Sequence, residues 1–207
     1  MSPKIADNLL RIKAVQINPE TPYEWASGWK SPIYCDNRKT LSYPDVRSFI
    51  RDEFVKTIDK NMSKPDVIAG VATGGIGIGA LVAEKMNLPF VYIRSSAKKH
   101  GMQNMIEGVL TKGQKVVVIE DLVSTGKSSL LAVDAIREAG GEIIGMSAIF
   151  TYGFEKAEKA FKDANCELFT LTNYSTLIDR AIAEKYIDKK NLETLTQWRL
   201  MPDKWRQ

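Results

Sequence analysis

Apolar residues at Ile5, Leu9, Ile12 and Val15 recur at helical spacing and predict a first helix over Ile5–Val15. Pro19, Pro22, Gly28 and Pro32 then break the chain, and Tyr23–Ala26 and Ile33–Asp36 read as short strands around a turn at Ser27–Pro32. Pro44 sits where a helix prefers to begin, and Val46, Phe49, Ile50, Phe54 and Ile58 mark that helix's buried face. From there strands and helices alternate. Asp66–Val71 is an apolar strand, Ile76–Met86 a helix and Phe90–Ile93 a strand. Lys115–Ile119 is a β-branched run of the kind buried on both faces, followed by a helix over Thr125–Ala139 that stops at Gly140–Gly141. Glu142–Phe150 and Glu167–Leu171 read as strands around a helix at Glu155–Ala164, with terminal helices at Ser175–Ala183 and Lys190–Trp198.

Such alternation predicts an α/β fold: a mostly parallel sheet with helices on both faces. The chain shows no repeat, low-complexity run or linker, so one domain is expected over 1–207, with a small hood formed mainly by 1–40. Ligands of such sheets bind at the carboxyl ends of the strands. The one segment without a period, Ser95–Gly108, starts at such an end, which points to a functional lid rather than a plain surface loop.

Charge and composition narrow the class. Net charge is +4 with 26% charged residues, too mild for a nucleic-acid-binding face but suited to concentrating small anions. No stretch approaches the roughly 18 apolar residues of a membrane span, and the N-terminus lacks a signal-peptide core. The two cysteines, Cys35 and Cys166, read as reduced buried thiols, which favours a cytoplasmic protein. A single histidine, His100, excludes a multi-histidine metal site.

The most specific chemistry lies in Val116–Ser129. A buried strand ends in Glu120 and Asp121, then Leu122 and Val123 lead into Ser124, Thr125, Gly126, Lys127 and Ser128 at a helix start. Unpaired amides and the helix dipole favour a phosphate there, hydroxyls add donors, and Gly126 allows close approach. Carboxylates touching that phosphate would repel it, so they suit sugar hydroxyls or hydrated magnesium nearby. The plain alternative is that Thr125 merely caps the helix and the acids are solvated. Gly126-Lys127-Ser128 does not complete a nucleotide-triphosphate loop, because Asp121 stands where that motif requires glycine. A second glycine-rich turn spans Gly70–Gly77. Gly75–Ala80 fits a weak dinucleotide fingerprint, but the following strand leads to Arg94 rather than to an acid, so the turn suits a diphosphate better. Arg94, Lys98, Lys99 and His100 follow with no acid between them and suit a polyanion such as pyrophosphate, a solvated charge run being the plain reading.

On these residues the chain resembles the type I phosphoribosyltransferase family, through Val116–Ser129, and most nearly its orotate-using branch. Ala26–Tyr34 is similar to that branch's hood motif, and Arg94 with Lys98–Gly101 to its mobile loop. The resemblance implies transfer of a phosphoribosyl group from phosphoribosyl pyrophosphate to orotate with Mg2+ held mainly through substrate and water. It implies Lys98, His100 and Asp121 as catalytic. Arg94, Lys98, Lys99, His100 and the run Glu120–Ser128 would bind phosphoribosyl pyrophosphate, and Ser124 and Tyr34 orotate. It further implies a homodimer in which loop 94–108 reaches the partner's site. Three positions depart from the branch: Ala26 stands where lysine is frequent, Ser95 where a second basic residue is frequent, and no arginine follows the strand near Thr151–Phe154. Tyr152 could contribute there, or only pack, and Lys30 could partly replace the lysine. A purine-type transferase and a regulatory protein keeping the sugar-phosphate site remain the alternatives.

Overall fold

The computed structural model describes residues 1–25, 28–96 and 105–206. Helix α1 (Pro3–Arg11) has Pro3 in its first turn and buries Ile5, Ala6, Leu9 and Leu10. It ends earlier than its apolar spacing predicts. Lys13 turns left-handed, with φ 54°, and the Lys13 and Ala14 amides fold back onto the Leu10 and Leu9 carbonyls. Val15 therefore begins a strand, β1 (Val15–Ile17), which pairs antiparallel with β4 (Ile33–Cys35). Between them β2 (Tyr23–Glu24) and β3 (Lys30–Ser31) form a second antiparallel pair, so Lys30 and Ser31 are strand rather than turn. Strands this short carry no readable period. Ala26 and Ser27 lie outside the described residues. A 3-10 helix (Asn37–Ser42), absent from the sequence pattern, leads into α2 (Pro44–Asn61).

The main sheet follows. β5 (Val67–Val71), α3 (Gly74–Met86), β6 (Phe90–Ile93) and β7 (Ile106–Glu107) are followed by β8 (Lys115–Val123), α4 (Lys127–Glu138), β9 (Glu142–Thr151), α5 (Glu155–Asp163), β10 (Leu168–Asn173), α6 (Tyr174–Ala183) and α7 (Leu192–Leu200). The six strands lie in the order β10-β9-β8-β5-β6-β7. All neighbours are parallel except β7, which runs antiparallel to β6 at the edge. That edge strand falls within the segment read as a lid, of which 97–104 lie outside the described residues. Parallel strands need helical crossovers, and these cover both faces, as expected.

Period-two alternation divides the core. Ile68, Val117 and Ile119 face a cluster with α1, α2, α3, α6 and α7. Val67, Ala69, Val116 and Val118 face the other way, against Ala132, Val133 and Ile136 of α4. The hood is attached through aromatic rings. Trp198 of α7 is fully buried, meets Tyr152 and Trp25 edge-on, and donates from its indole nitrogen to the Lys30 carbonyl at 3.2 Å. Tyr152 itself is 1% exposed, so most of its surface goes to packing.

Trp198→Ala removes this hub and its hydrogen bond. It is expected to cost about 3–5 kcal/mol of stability, read from the urea midpoint, and an unchanged midpoint would show that the hood is held elsewhere.

Candidate functional site

β8 outlasts its neighbour. Its pairing with β5 ends at Gly70 opposite Ile119, whereas its pairing with β9 continues to Val123 opposite Thr151. The strand thus runs on past the acids instead of ending at them, and from Glu120 onward one side of β8 is free of β5. The start of α3 takes that place. A Cβ on Gly74 would fall on the Asp121 carboxylate, and one on Gly75 on the Ile119 carbonyl, so only glycine permits this approach. The peptide Ala72–Thr73 is cis. Thr73, at the helix cap, makes no side-chain capping bond, so no side chain of the cap occupies the first amides of α3.

The two acids differ. Glu120 is 4% exposed, and its oxygens accept from the Asp121 amide at 3.0 Å and the Ser129 hydroxyl at 2.8 Å. Burial pushes its carboxyl well above the usual range, and the neighbouring Asp121 adds to the effect. Asp121 is less buried and is also raised by desolvation, opposed first by its hydrogen bond with Glu120 and more weakly by Arg38. Glu120 is therefore an internal brace, and Asp121 is the carboxylate presented toward α3. Nothing in the sequence marks Ser129 as its partner, since a helix serine carries no periodic signal.

Beyond the strand, Gly126 caps α4 with φ 81° and no side-chain capping bond. Thr125 does not cap the helix, so the amides of its first turn stay available to an anion. Ser124, Thr125, Gly126, Lys127 and Ser128 line an open cleft of about 700 Å³ together with Leu122 and Leu131. A second cleft of about 350 Å³ is lined by Glu24, Trp25, Tyr34, Cys35, Leu122, Ser124 and Tyr152. Tyr34 and Ser124, widely separated in sequence, thus share one wall system, and Leu122 and Ser124 border both clefts. Val123 is fully buried and is not among the residues lining either cleft.

Other residues fall around this centre. Arg94 follows β6, and its guanidinium meets Glu107 of β7 at 3.3 Å. The Ile93 carbonyl accepts from the Ala72 amide, which puts Arg94 beside the 72–75 turn. Lys98, Lys99 and His100 lie outside the described residues. A cation does reach residues 152–153, from a distance in sequence that no local motif reveals. Arg199 of α7 donates to the Tyr152 and Gly153 carbonyls at 3.2 and 3.3 Å and to the Ser175 hydroxyl at 3.0 Å. It is not among the residues lining the second cleft. Both cysteines are free thiols, Cys166 buried and Cys35 only half-buried.

Comparison with known proteins agrees with this geometry. Residues 46–185 match the phosphoribosyl transferase domain family. The chain is 56% identical over 200 residues to the orotate phosphoribosyltransferase of Bacteroides fragilis, covering 97% of this chain and 94% of that one. Leishmania donovani UMP synthase superposes with a TM-score of 0.81 at 24% identity, over 96% of this chain; the chain spans 42% of that protein's length. Orotate phosphoribosyltransferase from Aeropyrum pernix superposes with a TM-score of 0.78 at 24% identity, covering 89% of this chain and 99% of that one.

Because the fold favours protonated Glu120, its contribution to stability is present below the ordinary glutamate range and is lost as pH rises through the elevated value. An amide escapes that cost. Glu120→Gln is expected to melt higher than the parent at neutral and alkaline pH, by about 2–4 °C per kcal/mol recovered, with the gap closing toward acid. A gap independent of pH would contradict the buried-charge account.

Proposed function

The chain belongs to the phosphoribosyltransferases, and within them to the orotate phosphoribosyltransferases, and we propose that its two joined clefts carry the transfer of phosphoribose from phosphoribosyl pyrophosphate to orotate. The observation that carries this reading is the shared wall at Leu122 and Ser124, where a helix start open to an anion borders a cavity lined in part by Trp25, Tyr34 and Tyr152. A ribose phosphate in the first cleft directs its anomeric carbon toward a flat base in the second.

In this reading the amides and hydroxyls of Ser124–Ser128 hold the 5′-phosphate, which the dipole of α4 favours. Asp121 accepts the ribose hydroxyls, and Glu120 braces it through the backbone. The turn at Ala72–Gly75 takes the diphosphate with Arg94. Lys98, Lys99 and His100 cover the departing pyrophosphate, as their position after Arg94 in the chain suggests. Tyr34 and Ser124 position orotate. The bond from the anomeric carbon to pyrophosphate breaks with its electron pair going to oxygen, the orotate ring nitrogen forms the new bond, and the proton that nitrogen carried leaves to the departing pyrophosphate. Positive charge grows on the ribose next to the carboxylate, and negative charge on the leaving group beneath the cations. Closing the 94–108 loop would exclude water that otherwise hydrolyses the activated sugar.

Magnesium belongs to the same proposal. Among the described residues no group of three or more His, Cys, Asp or Glu side chains gathers as for a metal ion. One presented carboxylate, Asp121, fits an ion that keeps its own waters and takes its remaining oxygens from phosphate. Bound there, magnesium supplies charge neutralisation for the pyrophosphate. A cytoplasmic homodimer sharing the 94–108 loop completes the proposal; the free thiols suit a reducing compartment. None of the described helices is long and apolar enough to cross a membrane.

The loss of orotate absorbance with magnesium and phosphoribosyl pyrophosphate tests the reaction. Turnover with orotate is expected; silence with orotate and turnover with a purine base would contradict it. Lys98→Ala is expected to lower kcat on the order of 10²-fold, because it removes charge stabilisation at the leaving group, and an unchanged rate would exclude it. Asp121→Asn is expected to weaken sugar binding or turnover, and unaltered kinetics would remove the role given to that carboxylate.

A further inference from the structure

Asn37 joins the two halves of the site. It is the first residue of the 3-10 helix that follows β4, and it is 1% exposed. Its amide nitrogen donates to the Asp121 carbonyl at 2.6 Å, and its amide oxygen accepts from the Cys35 thiol at 3.2 Å. Its own carbonyl accepts from the Thr40 hydroxyl at 2.6 Å, which fixes the turn that presents the side chain. On one side of this bridge, Cys35 lines the smaller cleft; on the other, Leu122, next to Asp121, lines it too. The Asp121 side chain meanwhile lies over the start of α3. One side chain therefore ties the hood wall of the base cavity to the carboxylate that faces the sugar.

We propose that Asn37 is a positioning residue of the transfer reaction, setting the distance between the base in the hood cleft and the anomeric carbon above Asp121. The inference rests on the functional reading above. Asparagine suits the place because a short amide donates and accepts at once; alanine does neither, and an ionised aspartate only accepts. The adjacent Asp36–Arg38 pair, at 2.6 Å, anchors the same turn from its exposed side. Reacting atoms must meet within a few tenths of an ångström of the productive geometry, so freeing this link acts on the chemical step more than on the affinity for either substrate.

Steady-state kinetics of the full chain, Asn37→Ala and Asn37→Asp test this, with melting temperatures and calorimetric titration of phosphoribosyl pyrophosphate and magnesium without orotate. Asn37→Asp preserves size and the acceptor toward Cys35, so it decides the matter if the alanine variant does not fold. Both variants are expected to lose about 10²-fold in kcat while binding phosphoribosyl pyrophosphate nearly as the parent does. Parental kcat in a folded variant overturns the proposal. So does a loss of kcat that vanishes when the assay is cooled well below the variant's melting temperature, because that marks a purely structural role. A parent silent with orotate fails the functional reading and takes this inference with it; an active parent with fully active variants fails this inference alone.

Discussion

The site depends on one mismatch of length: β8 continues to Val123 after β5 has stopped pairing at Gly70. A sheet edge left open there would expose backbone groups, and the start of α3 fills it. That closure demands glycine at Gly74 and Gly75, since any side chain would meet the Asp121 carboxylate or the Ile119 carbonyl. The overrun also carries the chain past the sheet before α4 begins, so the amides of that helix open into a cleft and not into the core.

Burial then separates two carboxylates that adjoin in sequence. Glu120 turns to the Ser129 hydroxyl and is held toward its neutral form, while Asp121 stays presented. Two adjacent acids thus become one carboxylate turned inward to a hydroxyl and one presented toward α3, a division set by environment. The hood contributes the other half. Trp198 and Tyr152 hold it by aromatic packing, and the Asn37 amide fixes its inner edge to the strand end.

Much of this was legible in the sequence. The β-branched run at Lys115–Ile119 and the Ser-Thr-Gly turn mark the strand and the helix that follows, because a doubly buried strand leaves a strong local signal, although the fold carries the strand on to Val123 and starts the helix at Lys127, after a Gly126 cap. That Tyr34 and Ser124 border one cleft is a product of the fold, since no local pattern joins them. The shortest strands were harder. Val15–Ile17, Lys30–Ser31 and Ile106–Glu107 are too short for a period, and their pairing is decided by partners across the fold. The end of α1 was missed because Val15 completes an apolar helical stripe, yet tertiary pairing with Cys35 takes it into a strand. Asn37, Ser129 and Arg199 act through contacts distant in sequence, and a lone polar residue after a short strand reads as turn.

A crystal structure of the protein soaked with phosphoribosyl pyrophosphate and magnesium measures the central claim directly. The account predicts the 5′-phosphate on the amides that open α4, at Ser124–Ser128, with the ribose hydroxyls on Asp121 and the base-side cleft next to Tyr34 in line with the anomeric carbon. A 5′-phosphate seated at the start of α3, with the first turn of α4 left to solvent, would contradict it.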